Sequence, residues 1–69
     1  MSEAYTTLEV DLASIKVAKV SGDQSKVDNA CKIYQAHERE FLPSLKNDER
    51  KDLAFKYNAI LNSENERTQ

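Results

Sequence analysis

Apolar residues recur along this chain at helical spacing in three segments separated by polar breaks. In the first, Ala4 to Val20, two stripes can be traced on one helix: Tyr5, Leu8, Leu12 and Ile15, and then Val10, Ala13, Val17 and Val20. Each stripe keeps to one side of a helix, and the two lie about 120–140° apart at helical geometry. A helix with two apolar sides can pack inward on its own chain and outward on a partner. The competing reading of the same segment is a strand at Thr6–Leu12. Leu8, Val10 and Leu12 alternate there with Glu9 and Asp11, and Thr6 and Thr7 favour extended structure. The alternation covers five residues and the helical pattern the whole segment, so helix is the favoured reading.

Ser21, Gly22 and Asp23 break the pattern. Gly22 is the only glycine and suits the left-handed position that closes a helix, while Asp23 can accept hydrogen bonds from the free amides that open the next one. A helix end followed at once by a helix start predicts an αα-hairpin. The second helix is expected over Gln24–Phe41, with Val27, Ala30, Tyr34, His37 and Phe41 along one face and Cys31 and Ile33 flanking it. Pro43 disfavours helical geometry at Leu42 and ends it. After a linker over Ser44–Asn47, Asn47 or Asp48 can cap a third helix, and Asp48 and Glu49 suit its positive end. Its apolar face is Leu53, Tyr57 and Ile60, with Ala54 and Leu61 alongside. Phe55 falls off that face. The sequence thus predicts an all-α fold, a small three-helix protein built on an αα-hairpin. It forms a single helical domain over residues 1–61, followed by a disordered polar tail over 62–69.

Composition sharpens this picture. At 69 residues the core alone supplies on the order of 3–5 kcal/mol, and chains of this size lean on a staple. One cysteine rules out an internal disulfide, and one histidine argues against a Cys/His zinc site. Self-association or a larger partner is the remaining staple, and a homodimer is the expectation. Ten basic and twelve acidic residues are interspersed, for a net charge of −2. That balance disfavours nucleic acid, which is bound through basic stripes. No apolar run approaches the about 20 residues that span a bilayer, and the expected compartment is the cytoplasm.

Candidate chemistry is sparse. His37 titrates near neutrality when unperturbed, and its expected role is a boundary residue whose ring packs while its nitrogens reach water. Cys31 reads as a small core hydrophobe. The run His37-Glu38-Arg39-Glu40 points four ways on a helix and reads as a solvated turn. Tyr34, Phe41, Phe55 and Tyr57 read as core or protein interface, since base-stacking platforms come with a basic groove. Lys16, Lys19 and Lys26 read as a solvated edge. No catalytic, cofactor-binding or metal residue is predicted, and no enzyme activity.

The stretch Ala13 to Ile60 resembles the AraC negative regulator (ANR) family. The likeness lies in Ala18-Lys19-Val20-Ser21-Gly22-Asp23, in Ala30 with Ile33-Tyr34-Gln35-Ala36, and in Asn47-Asp48-Glu49-Arg50 leading into the last helix. The resemblance implies a small regulator of enteric bacteria that binds AraC-type activators of virulence genes and blocks their dimerisation, without enzymatic activity. On this reading Leu8, Leu12 and Ile15 are the expected dimer or partner contact, with Val10 and Val17 on the opposite side and Phe55 as a further exposed anchor. Two other readings stay open. One is a ribbon-helix-helix repressor or antitoxin, with Thr6–Leu12 as its strand. The other is a phage-encoded inhibitor of a host enzyme.

Overall fold

In a computed structural model, which describes residues 2–67, the chain forms three α-helices. They are α1 (Glu3–Ser21), α2 (Gln24–Phe41) and α3 (Asn47–Arg67), with one 3-10 turn at Leu42–Ser44 between α2 and α3. There is no strand among the described residues. Thr6–Leu12 lies wholly inside α1, so the strand alternative fails. The physical reason is that the 3-4-3 stripe finds partners for its whole length, whereas a lone strand has no neighbour to take its backbone hydrogen bonds.

Each helix start has a visible cause. The Ser2 side chain accepts a hydrogen bond from the Tyr5 amide at 3.2 Å and caps α1. The Asp23 carboxylate accepts from the amides of Ser25 and Lys26 at 2.9 and 3.4 Å and caps α2. The start of α3 departs from expectation. Neither Asn47 nor Asp48 provides the observed cap. Instead the Glu49 carboxylate accepts from the Lys46 amide at 3.0 Å, the reach-back half of a capping box. The end of α1 is closed by Gly22, whose φ of 79° is left-handed and whose amide bonds the Lys19 carbonyl at 3.1 Å. At its far end α3 is assigned through Arg67, past the boundary expected at Leu61. No glycine or proline interrupts the backbone there. Thr68 and Gln69, the rest of the expected tail, lie outside the described residues.

The helices run up, down, up. The hairpin turn at Gly22 sets α2 antiparallel to α1, and the turn at Pro43 returns α3 alongside both. The core is built from Tyr5, Leu8, Leu12 and Ile15 of α1, Tyr34 of α2, Leu53 of α3 and Leu45 from the connection, with Ala4 at one end. Leu8 and Ile15 are fully shielded from solvent. Ala30, Cys31, Phe41, Tyr57 and Ile60 pack half-buried around them. Leu45 joins the core from a segment that reads as linker, because the 3-10 turn folds it back beneath α1.

Gly22→Ala is expected to lower stability by about 1 kcal/mol, measured by urea denaturation. A Cβ at this position would meet nothing within 4 Å, so the cost arises from the left-handed φ alone. Gly22→Asn is expected to cost less, since asparagine tolerates that region better.

Candidate functional site

The chemistry-bearing side chains of α1 divide between its two neighbours. Toward α3 they form a ladder with a constant offset of 47 residues. Ser2 Oγ donates to Glu49 Oε2 at 3.2 Å, the Tyr5 hydroxyl donates to Asp52 Oδ2, and Lys56 Nζ donates to Glu9 Oε2 at 2.8 Å. A constant offset is what two parallel helices in register produce. Lys56 is the hub of the ladder. Its ammonium also reaches the Tyr5 oxygen at 3.1 Å and Asp52 Oδ2 at 3.0 Å, and stands 5.5 Å from the Tyr5 ring centre. Glu9, and then Tyr5 and Asp52, hold the Lys56 ammonium in its charged form and raise its pKa. The Tyr5 hydroxyl, by donating to Asp52, pushes that carboxyl below its usual range. Tyr5 itself moves up for the same reason. The Lys46 amide, followed by Ser2, lowers Glu49.

Toward α2, Asp11 meets His37. The carboxylate is almost buried between the helices and lies 2.6 Å from His37 Nδ1. His37 also packs its ring on Phe41, with ring centres 5.8 Å apart. The expected boundary histidine is therefore anchored by a carboxylate as well as by packing. Deeper on the same helix Tyr34 stacks on Tyr57 of α3 at 4.8 Å, nearly parallel. Burial pushes the Tyr34 hydroxyl up to about 12, and that hydroxyl finds no hydrogen-bond partner among the described residues. Burial raises Tyr57 as well, against the lowering effect of its hydrogen bond from Gln35.

Several open grooves flank α1. One of about 380 Å³ runs between α1 and α2; Ala18 and Ala30 line it, Val17 and Ile33 bound it, and Asp11 and Lys26 supply charge. Another of about 290 Å³ lies between α1 and α3, where Phe55, Ala59 and Ile60 face Leu12 and Lys16. The residues expected at an interface separate into two groups. Leu8, Leu12 and Ile15 form the core of the chain itself, so they offer no surface to a second protein while this packing holds. Their stripe carries larger side chains than the valine stripe and gains more from burial. Val10, Val17 and Phe55 are exposed at 60%, 69% and 74%, accompanied by Val20 at 65% and Ile33 at 51%.

The three lysines that looked like one edge go to three places. Lys19 Nζ donates to the Leu61 carbonyl at 2.6 Å, Lys16 borders the α1–α3 groove, and Lys26 borders the α1–α2 groove. Cys31 is half-buried against the core. Among the described residues, no three His, Cys, Asp or Glu side chains come together as a metal site. No helix among them is long and apolar enough to cross a membrane. The Asp11–His37 pair and the Lys56 hub escape a linear reading, since both join positions far apart in the chain. The Asp52–Lys56 half of the hub, four residues apart, does carry a local signal. Comparison with known proteins finds no matching family model, no matching curated protein and no matching solved structure.

Two outcomes are expected. Asp52 and Glu49 have carboxyl pKa values below those of the unfolded chain, so their contribution is complete above about pH 5 and is lost as pH falls through the folded values. Thermal melts from pH 7 down to pH 2 should therefore show a smaller acid-induced drop for Asp52→Asn than for the native chain. Tyr34→Phe removes a buried hydroxyl with no partner among the described residues and keeps the ring. It is expected to leave stability unchanged or raise it by up to about 1 kcal/mol, read by urea denaturation.

Proposed function

We propose that this chain is a small, non-enzymatic cytoplasmic regulator that works by binding a partner protein. The observation that carries the reading is the amount of large apolar side chain left on the surface of so small a bundle. Val17 and Ile33 stand on either side of the α1–α2 groove, and Phe55 projects from α3 beside the α1–α3 groove. Contiguous exposed apolar surface on a small protein marks a place where another molecule sits. An open, mostly apolar trough between two helices, with Asp11 and Lys26 supplying charge, suits the apolar face of an amphipathic helix.

The resemblance to AraC negative regulators supports the same reading and gives it a direction. The partner is then an AraC-type activator, and the bound regulator keeps that activator from dimerising, which dampens transcription of virulence genes. A host enzyme held by a phage-encoded inhibitor is the second partner class, and the same experiment separates it. A DNA-binding repressor of the ribbon-helix-helix type is no longer supported, because Thr6–Leu12 is helical.

The test is affinity purification of the tagged chain from its native host at physiological salt with nuclease treatment, followed by mass spectrometry. Ile33→Asp and Phe55→Asp serve as controls, since both positions are exposed and both variants should keep the native circular dichroism. The expected result is one stoichiometric protein retained by the native chain and reduced at least tenfold by one of the two variants. Retention of nothing, or equal retention by both variants, would remove the reading.

A further inference from the structure

The exposed side of α1 has a regularity beyond being apolar. Thr6, Val10, Ala13, Val17 and Val20 are spaced four, three, four and three residues apart, and all five are exposed. This is the alternation of the a and d positions of a heptad, with Val10 and Val17 at a and Thr6, Ala13 and Val20 at d. The seam covers 15 residues from Thr6 to Val20, about 21 Å of helix at 1.5 Å per residue. No charged residue lies on it. It faces away from the core, which lies on the opposite side of the same helix. An exposed seam of this kind is what one helix presents to another.

The flanking positions indicate which helix. On the α3 side of the seam the residues at g are Glu9 and Lys16; on the α2 side those at e are Thr7, Ser14 and Ser21. In a parallel pair, g faces e, and both charges would meet serines. In an antiparallel pair with full overlap, g faces g. Val10 then packs on the partner's Ala13, and Glu9 comes beside the partner's Lys16. The two-fold repeats both contacts, so the surface is self-complementary, as an isologous dimer requires. Thr7 and the partner's Ser14 face each other on the opposite flank as a small, uncharged pair. Lys56 holds Glu9 through Oε2, which leaves Oε1 for a second cation. A core this small gains from such a staple.

We propose that a second copy of this chain docks on α1 through Thr6, Val10, Ala13 and Val17, as an antiparallel pair locked by Glu9 and Lys16 of opposite subunits. The inference rests on the binding-protein reading and extends it to a second copy on the adjoining face of α1, with Val17 at the border of the two surfaces. It is read from the mass of the purified chain, so it can fail while partner capture succeeds, and the reverse.

The experiment is sedimentation equilibrium of the native chain and four variants, with circular dichroism on each. The native chain should run at twice its 7.9 kDa, and Val10→Asp should return it to a monomer with unchanged helix content. Glu9→Lys and Lys16→Glu should each weaken the dimer at least tenfold, by placing like charges across the seam. Glu9→Lys combined with Lys16→Glu in one chain should restore the dimer. A mixture of the two single variants should form a heterodimer tighter than either homodimer, a result only the antiparallel register yields. A native chain that stays at 7.9 kDa up to about 1 mM would overturn the proposal. So would a dimer that survives Val10→Asp. A dimer lost in Val10→Asp but indifferent to the charge exchanges would overturn the antiparallel register. Should Glu9→Lys lose helix content through its contact with Lys56, Lys16→Glu and its mixture with the native chain carry the charge test alone.

Discussion

The bundle depends on the Tyr5–Leu8–Leu12–Ile15 ridge of α1, the one surface that both other helices share. Leu8 and Ile15 lose all contact with solvent, and Tyr34 from α2 and Leu53 from α3 close over them almost completely. Without that ridge α2 and α3 would meet mainly through the Tyr34–Tyr57 stack and the Gln35 hydrogen bond to Tyr57. The polar contacts then decide how the helices sit on the ridge. The ladder toward α3 fixes its axial register, and the Asp11–His37 pair fixes α2. Neither set replaces the ridge, because partly exposed ion pairs contribute little net stability, whereas an apolar core of this kind drives collapse.

Much of this architecture was legible in the sequence. Asp23 and Pro43 bracket α2, and the observed limits agree with those expected, although Leu42 keeps helical backbone angles (φ −50°, ψ −45°) and the chain tightens into the 3-10 turn at Pro43 instead of leaving helical geometry before it. Gly22 takes the left-handed turn its position predicted. The helical reading of α1 held over the strand reading, since a stripe that runs the length of a segment outweighs five residues of alternation. The first cap of α3 was less legible. Asn47, Asp48 and Glu49 can all act at a helix start, and the choice of Glu49 turns on which side chain reaches back to Lys46 and on toward Ser2.

The candidate surface was legible only in part. Periodicity identifies two apolar stripes on α1 but does not say which one the chain keeps for itself. Side-chain size does. Leucine, isoleucine and tyrosine carry more apolar area than valine and alanine, so the larger stripe turns inward and the smaller is left outside. By that measure Leu8, Leu12 and Ile15 belong to the core and Val10 and Val17 to the surface. Leu45 was hidden by its place after Pro43 in a segment with no period. The partner of Asp11 gave no local signal, because His37 lies on the neighbouring helix and only the hairpin register brings it there. Phe55 stood out correctly, as an aromatic that the face of its own helix cannot cover.

The tight turn at Gly22 also divides the molecule by the separation of its contacts along the chain. Contacts between α1 and α2 join residues on either side of a two-residue link, and the first of them close small loops. Every rung of the α1–α3 ladder closes a loop of 47 residues, at a greater cost in chain entropy. The hairpin is therefore the part of the chain able to assemble early and by itself, with α3 arriving as the closing element. The same asymmetry applies to the folded molecule. Detaching α3 uncovers one flank of the ridge and leaves the hairpin joined, which makes α3 the natural unit of partial opening. Phe55, on the outer side of that helix, sits on the element whose hold on the bundle a bound protein could most readily tighten or release.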